Sequence, residues 1–304
     1  MSKRNTYYST NTILAMCLMG LLTFGTGCAE ETKRNTASTE QKKEDESKST
    51  NLLKLNGKVF SIPSPIQTAY LIKNSGADYR ASILNATDKV AEYTTTNKKA
   101  LNLGIYGADL GYATIYDQSQ EAISYMAVAK RLTSELGISN LFDKQMIERF
   151  ESNLGKQDSL LALVSDAFKS ADSYLKQNKQ ENVSAMILVG GWIETLYFAT
   201  DLFEPEHDET IRNRIGEQKI TLENVINLLS PYSDDSSIEG LLKGLNELDM
   251  LYEEINYTYT YQEPITDAEN KITKITSESK VDMTPEQLKA ISAKVIELRN
   301  SIIN

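Results

Sequence analysis

Two apolar stretches of the sequence carry the polar side chains best suited to chemistry. The first, residues 100–112, contains Asp109, and the second, residues 183–203, contains Glu194. A carboxylate in such surroundings must be paired, hydrogen-bonded or protonated. Paired carboxylates are the catalytic groups of most glycoside hydrolases, and Glu194 is the residue to follow for that reaction. The alternative is that Glu194 is the structural partner of an arginine or a backbone group, and the sequence alone assigns no catalytic residue.

Glycine is frequent in the first stretch, where Gly107 lies beside a regular pattern of small residues. Gly104, Ala108 and Gly111 recur at i, i+4 and i+7 and therefore share one face of a helix. Each glycine inside a helix costs about 1 kcal/mol relative to alanine, so an offsetting gain is expected. One interpretation is close approach of a second helix backbone at Gly190–Gly191. The other is a ligand groove, which would be lined by Asn102, Gly104, Tyr106, Asp109, Tyr112, Trp192 and Glu194.

Other chemistries have weak support in the sequence. His207 is the only histidine and lies in an acidic run, residues 204–209, at an expected helix start, where carboxylates are favoured by the helix dipole. A metal site built from His207 and neighbouring carboxylates is the alternative, but zinc hydrolases need two histidines at fixed spacing. Asp234-Asp235 lacks the ligand pattern of a calcium loop and is expected to cap the next helix. We therefore predict neither a metal nor a cofactor.

The N-terminal segment predicts export. Lys3 and Arg4 precede an apolar run, residues 13–24, which spans about 18 Å as a helix and is too short for the ~30 Å hydrocarbon core of a membrane. The following Gly-Thr-Gly-Cys, ending at Cys28, resembles the lipobox of bacterial lipoproteins, in the looser form found in Bacteroidota. We therefore expect residues 1–27 to be a signal peptide and Cys28 to be the acylated anchor. The alternative is an ordinary secretory signal with an incidental cysteine.

Composition limits what lies beyond the anchor. Residues 28–50 are rich in Thr, Ser, Lys and Glu without apolar periodicity, which predicts a flexible tether, and residues 51–304 are long enough for a single helical domain. The net charge of −10 becomes −12 without Lys3 and Arg4, so the cationic surface that nucleic-acid binding requires is lacking. Ala29 after the cysteine is typical of lipoproteins sent to the outer membrane.

Apolar periodicity predicts a mainly all-α fold, an irregular bundle of about nine or ten helices. Residues 183–203 leave almost no polar face, so this helix should run buried through the centre. Alternating residues at 257–261 and 271–276 predict a small β-hairpin before the last helix, which Thr284 should cap. The remaining helices are expected near 63–76, 79–86, 97–116, 117–136, 141–154, 158–175, 209–229 and 238–256, with Asn97, Asp117 and Asp158 as N-caps.

The runs 98–112 and 190–194 resemble a family of uncharacterised Bacteroidota lipoproteins, over most of the chain from Pro63 onward. The resemblance implies an outer-envelope location and brings no activity. We favour a non-enzymatic helical scaffold, or a module that binds a small molecule or a partner protein, attached to the membrane by its acyl chains. The alternative is a carboxylate-dependent hydrolase of glycan or cell-wall material. An open cleft at Glu194 or Asp109 would favour the hydrolase, and a closed core would favour the scaffold.

Overall fold

Helices dominate the chain in the computed structural model, which confirms the predicted mainly α class. The structure describes residues 51–55, 58–62, 65–138, 143–203, 209–267, 272–274 and 276–304. The predictions for the signal peptide, Cys28, the tether and His207 lie outside these residues. Within them, nine α-helices are present: α1 Pro65–Asn74, α2 Thr96–Ile115, α3 Ser119–Glu135, α4 Lys144–Ser152, α5 Gln157–Gln177, α6 Glu181–Asp201, α7 Glu209–Leu229, α8 Ser236–Glu253 and α9 Pro285–Ile303.

Helix α6 forms the centre of the bundle, as its sequence predicts. It packs against α1, α2, α5, α7 and α9, and nearly every one of its side chains from Val183 to Thr200 is buried. Among the described residues, α6 is the one helix long and apolar enough to cross a membrane, and 89% of its most apolar window lies inside the fold. Its composition is therefore explained by packing on all sides within the protein.

The closest helix crossing joins α2 to α6, and glycine makes it possible. A Cβ atom on Gly104 would lie 1.9 Å from the backbone oxygen of Ile187, and one on Gly190 would lie 1.9 Å from that of Leu101. The predicted approach of a second backbone at Gly190–Gly191 is confirmed. Gly107 instead makes room for the ring of Phe168, whereas a Cβ on Gly111 would meet only an ordinary contact at 3.5 Å.

Some predicted helix ends are confirmed and others are wrong. Thr284 forms a full capping box at the start of α9, and Asp235 caps α8. Thr95, not Asn97, caps α2. Asp117 does not begin α3: its φ is +58° and its amide donates to Thr114, which makes it the left-handed residue that closes α2. Asp158 lies inside the first turn of α5 rather than before it.

The irregular segment between α1 and α2 also differs from the expected helix at 79–86. It contains two short 3-10 segments, Ala81–Ile83 and Thr87–Glu92, and a third, Ser230–Tyr232, joins α7 to α8. Neither of the first two has a side-chain cap at its N-terminus. Most polar groups of this segment must therefore find partners on neighbouring elements.

The predicted hairpin before α9 is present, but its strands have other partners. Strand β3 (Asn256–Thr260) pairs with β6 (Glu278–Asp282), and β4 (Ile265–Asp267) pairs with β5 (Ile272–Lys274), all antiparallel. The four strands form one long interrupted ribbon. Between its two ladders, Gln262 hydrogen-bonds to the side chain of Ser277, and the side chain of Thr276 donates to the carbonyl of Glu263.

A second hairpin, at the start of the described chain, was not predicted. Strands β1 (Asn51–Leu55) and β2 (Lys58–Ile62) pair antiparallel, and β2 contacts α7. Asn56-Gly57 stands between them in the sequence, and this dipeptide is a strong signal for a two-residue hairpin connection. The signal was therefore available and was missed.

Candidate functional site

The seven residues of the expected groove lie in the interior. Asn102, Tyr106, Asp109, Tyr112 and Glu194 are each 0% exposed, Trp192 is 2% exposed, and Gly104 lies in the helix crossing. The structure does bring the polar ones together, on the facing sides of α2 and α6 beneath the irregular segment 80–93. Three of them, Asn102, Asp109 and Glu194, form a buried polar cluster with two further residues, Asn85 and Arg299.

Arg299 is the charge partner of Glu194, which confirms the alternative that Glu194 is the structural partner of an arginine. Its Nε lies 2.6 Å from Oε2 of Glu194 and its Nη2 lies 2.7 Å from Oε1, a bidentate geometry. The same Nη2 donates to the carbonyl of Ile83 at 2.9 Å, and the guanidinium stacks 4.3 Å from the ring of Tyr197. One side chain of α9 thus joins α6 to the irregular segment.

Asp109 is the second buried carboxyl group of the cluster. Burial raises the pKa of its carboxyl well above the usual value, and the adjacent negative charge of Glu194 raises it further. Burial also raises the pKa of Glu194, but the guanidinium of Arg299 opposes that rise. Of the two carboxyl groups, Asp109 therefore holds a proton more firmly than Glu194 does. Oδ2 of Asp109 accepts from the amide of Asn85 at 3.3 Å, whereas its buried Oδ1 has no hydrogen-bond partner among the described residues.

Asn85 links the cluster to a group of buried tyrosines. Its side-chain NH2 group donates to the hydroxyl of Tyr93 at 3.0 Å and more distantly to Asn102. Its backbone carbonyl accepts from the hydroxyl of Tyr125 at 3.1 Å. Tyr106 donates to the carbonyl of Ala86 at 2.8 Å. Burial raises the pKa of each of these tyrosines, so all of them are neutral donors at physiological pH. Helices α2 and α3 thereby supply donors to a segment that has few backbone partners of its own.

The C-terminal end of α9 is held by the same cluster. The side-chain amide of Asn102 donates to the carbonyls of Lys98 at 2.9 Å and Ile302 at 3.1 Å, and the hydroxyl of Tyr93 reaches Ile303 at 3.5 Å. The last carbonyls of a helix have no hydrogen-bond partner within that helix, and Asn102 and Tyr93 supply donors to those of Ile302 and Ile303. Arg299 and Asn102 together fix the last two turns of α9 against α2 and α6.

Two observations bear on ligand or metal binding. Among the described residues no group of three or more acidic, histidine or cysteine side chains is arranged to hold a metal ion. Trp192 donates its indole N–H to Gln218 at 2.9 Å and is buried, so it is a core residue rather than an exposed platform for a sugar.

Arg299 and Asn85 are the important residues that sequence reasoning missed. Arg299 follows Val295 by four positions and therefore lies on the apolar face of α9. A charged residue on that face indicates a buried partner of opposite charge. Asn85 lies in irregular structure, and no pattern in the neighbouring sequence indicates a role for it.

No family model matches the chain, and comparison with curated proteins and with solved structures finds no match either.

Proposed function

We propose that this protein is a lipid-anchored module of the bacterial cell envelope that acts by binding another component rather than by catalysis. The observation that supports this most directly is the closed packing around Asp109 and Glu194. Both carboxyl groups are 0% exposed, and their partners belong to the protein itself.

A glycoside hydrolase requires a different arrangement of its carboxylates. The two groups must reach the sugar from opposite sides, about 5–10 Å apart, with room for substrate and water between them. The charge of Glu194 instead acts directly on the carboxyl group of Asp109, and Arg299 binds both oxygens of Glu194. Such a cluster serves to hold α9 and the irregular segment on the α2–α6 pair.

The envelope location is supported by sequence alone. Lys3 and Arg4, the apolar run at 13–24 and the small residues before Cys28 have the order of a lipoprotein signal. Two or more acyl chains on Cys28 would give stable anchoring, where one chain would be marginal. A tether of about 20 residues would then hold the helical domain within ~25 Å of the membrane surface.

The anchor is tested by expressing the full chain and its Cys28→Ser variant in a Bacteroidota host supplied with an alkyne-labelled palmitate. We expect label in the outer-membrane fraction for the native chain and its loss in the variant. Label that persists in Cys28→Ser, or is missing from both, contradicts the anchor.

The absence of catalysis is tested separately with the purified native chain on a panel of peptidoglycan and surface glycans. We expect no cleavage. Cleavage that Asp109→Asn abolishes, in a variant whose circular dichroism matches that of the native chain, would establish the hydrolase, because this substitution removes the titrating group. Cleavage that Asp109→Asn leaves intact would also contradict the proposal, by placing the activity elsewhere.

A further inference from the structure

The β-ribbon carries much of the apolar surface that the described part of the chain exposes. Tyr259 is 55% exposed, Tyr261 is 68% exposed and Ile265 is 63% exposed, whereas Val281 on the opposite strand is buried against Gly216 of α7. The ribbon is thus attached at its base and exposed farther along. A tyrosine stripe, defined as Tyr257, Tyr259 and Tyr261, runs along one face of its outer strand because alternate residues share a face.

The two edges of the ribbon differ in their surroundings. Strand β6 packs against α7, and the amide of Val281 points away from β3 and donates to the side chain of Asn213 at 3.2 Å. The pair Tyr257–Val281 is therefore a non-hydrogen-bonded pair, and so is Tyr259–Ser279 two residues on. The N–H and C=O of Tyr259 must point to the outer edge of β3, where they are available to another strand.

The sequence of this edge is symmetric. Residues 256–262 read Asn-Tyr-Thr-Tyr-Thr-Tyr-Gln, with an amide side chain at each end and no charge, in a chain whose net charge is −10. Exposed edge strands are normally protected by charged residues or proline, and β3 has neither. If two copies pair antiparallel about Tyr259, tyrosine meets tyrosine and threonine meets threonine at every position from 257 to 261, and Asn256 meets Gln262 at each end. Cross-strand pairs of these types stabilise a sheet.

We infer that β3 is a self-association edge, through which two copies of this chain form a four-stranded antiparallel sheet with one continuous tyrosine stripe. Tyr259 of each copy would lie opposite Tyr259 of the other, with Thr258 opposite Thr260. A single edge of this length buries less than the ~1,200 Å² at which stable interfaces begin, so the dimer should be weak in dilute solution. Anchoring both copies on one membrane, which rests on the proposed function, would raise their effective concentration.

The pairing is tested by cross-linking the full chain in isolated membranes. Directly opposed residues in such a sheet have Cα atoms about 5.5 Å apart, within the range of a disulfide. Tyr259→Cys should therefore give a disulfide-linked dimer on mild oxidation. Lys280→Cys is the matched control, since it is exposed on the same ribbon but belongs to the inner strand β6. Adding Thr258→Lys to Tyr259→Cys should abolish the dimer, because it places a cation on the free edge.

A Tyr259→Cys dimer that is lost with Thr258→Lys supports the proposal. Equal cross-linking of Tyr259→Cys and Lys280→Cys, or a dimer that persists with Thr258→Lys, overturns it. Repeating the oxidation on detergent-solubilised chain at high concentration separates the two proposals. There the Tyr259→Cys dimer should form whether or not Cys28 is acylated.

Discussion

The Arg299→Met substitution tests whether the buried polar cluster holds the fold together. It removes both hydrogen bonds to Glu194 and the one to the carbonyl of Ile83, and methionine fills a similar volume without a donor. Removing one partner of a buried ion pair typically costs about 3–5 kcal/mol, because the other charge is left buried and uncompensated. That is a large part of the roughly 5–15 kcal/mol by which proteins are stable. For a domain of this size, it lowers the melting temperature by roughly 6–20 °C.

The measurement is urea unfolding of the purified chain at pH 7, followed by far-ultraviolet circular dichroism. Arg131→Met is the matched control, because Arg131 makes a 2.9 Å ion pair with Glu135 while its side chain is 49% exposed. Exposed pairs contribute about 0–1 kcal/mol, so this variant should unfold almost as the native chain does.

A second variant separates the loss of a charge partner from the loss of packing. Replacing both Glu194 and Arg299 by apolar residues, as Glu194→Leu with Arg299→Met, leaves no unpaired charge, and such replacements are often close to neutral. We expect the double variant to recover most of the lost stability. If Arg299→Met alone costs no more than Arg131→Met, the ion pair does not hold α9 in place and the assigned role of the cluster is wrong.

Three further predictions concern the proton, the helix crossing and the last helix. Burial raises the pKa of Asp109 above its unfolded value of about 3.9. The folded chain therefore retains a proton that the unfolded chain releases. As a result, the free energy of unfolding should fall as the pH rises from about 4 toward the folded pKa. Asp109→Asn keeps a neutral donor and should flatten this fall in urea titrations at successive pH values; an unchanged slope would contradict the assignment. Gly104→Ala should destabilise the chain by several kcal/mol, whereas Gly240→Ala should stabilise it by up to ~1 kcal/mol in the same assay, because Gly240 lies at an exposed position of α8 where a Cβ meets nothing within 4 Å. Similar effects of the two substitutions would refute the close crossing. Thr284→Ala should cost about 1 kcal/mol by removing the capping box of α9, and Thr284→Ser should restore it.

Local patterns predicted the helices well, because the information for a helix lies within its own sequence. The apolar stripe of α5, the absence of a polar face on α6 and the Thr284 capping box each depend on residues a few positions apart. Asp117 shows the limit of that approach. It precedes a helix in sequence, yet its left-handed conformation is set by the end of the helix before it.

Partners distant in sequence could not be predicted in this way. Glu194 and Arg299 are separated by 105 positions, and no local pattern in either helix specifies the other. The strands illustrate the same limit, since alternation identified β3 and β5 but not that β3 pairs with β6. Alternation shows which residues share a face of a strand, but it does not identify the strand that lies beside it.

The glycines and the carboxylates, which the sequence presents as separate features, belong to one arrangement. Gly104 and Asp109 are five residues apart on α2, and Gly190 and Glu194 are four apart on α6, so the backbone contact lies about one turn from the carboxyl pair. Close approach at the glycines brings two buried acids near each other, and the charge of Glu194 raises the pKa of Asp109. Gly104→Ala should therefore separate the acids as well as the helices. We expect it to weaken the dependence of stability on pH that Asp109 causes, an effect that a purely steric defect remote from the carboxyl pair would not produce.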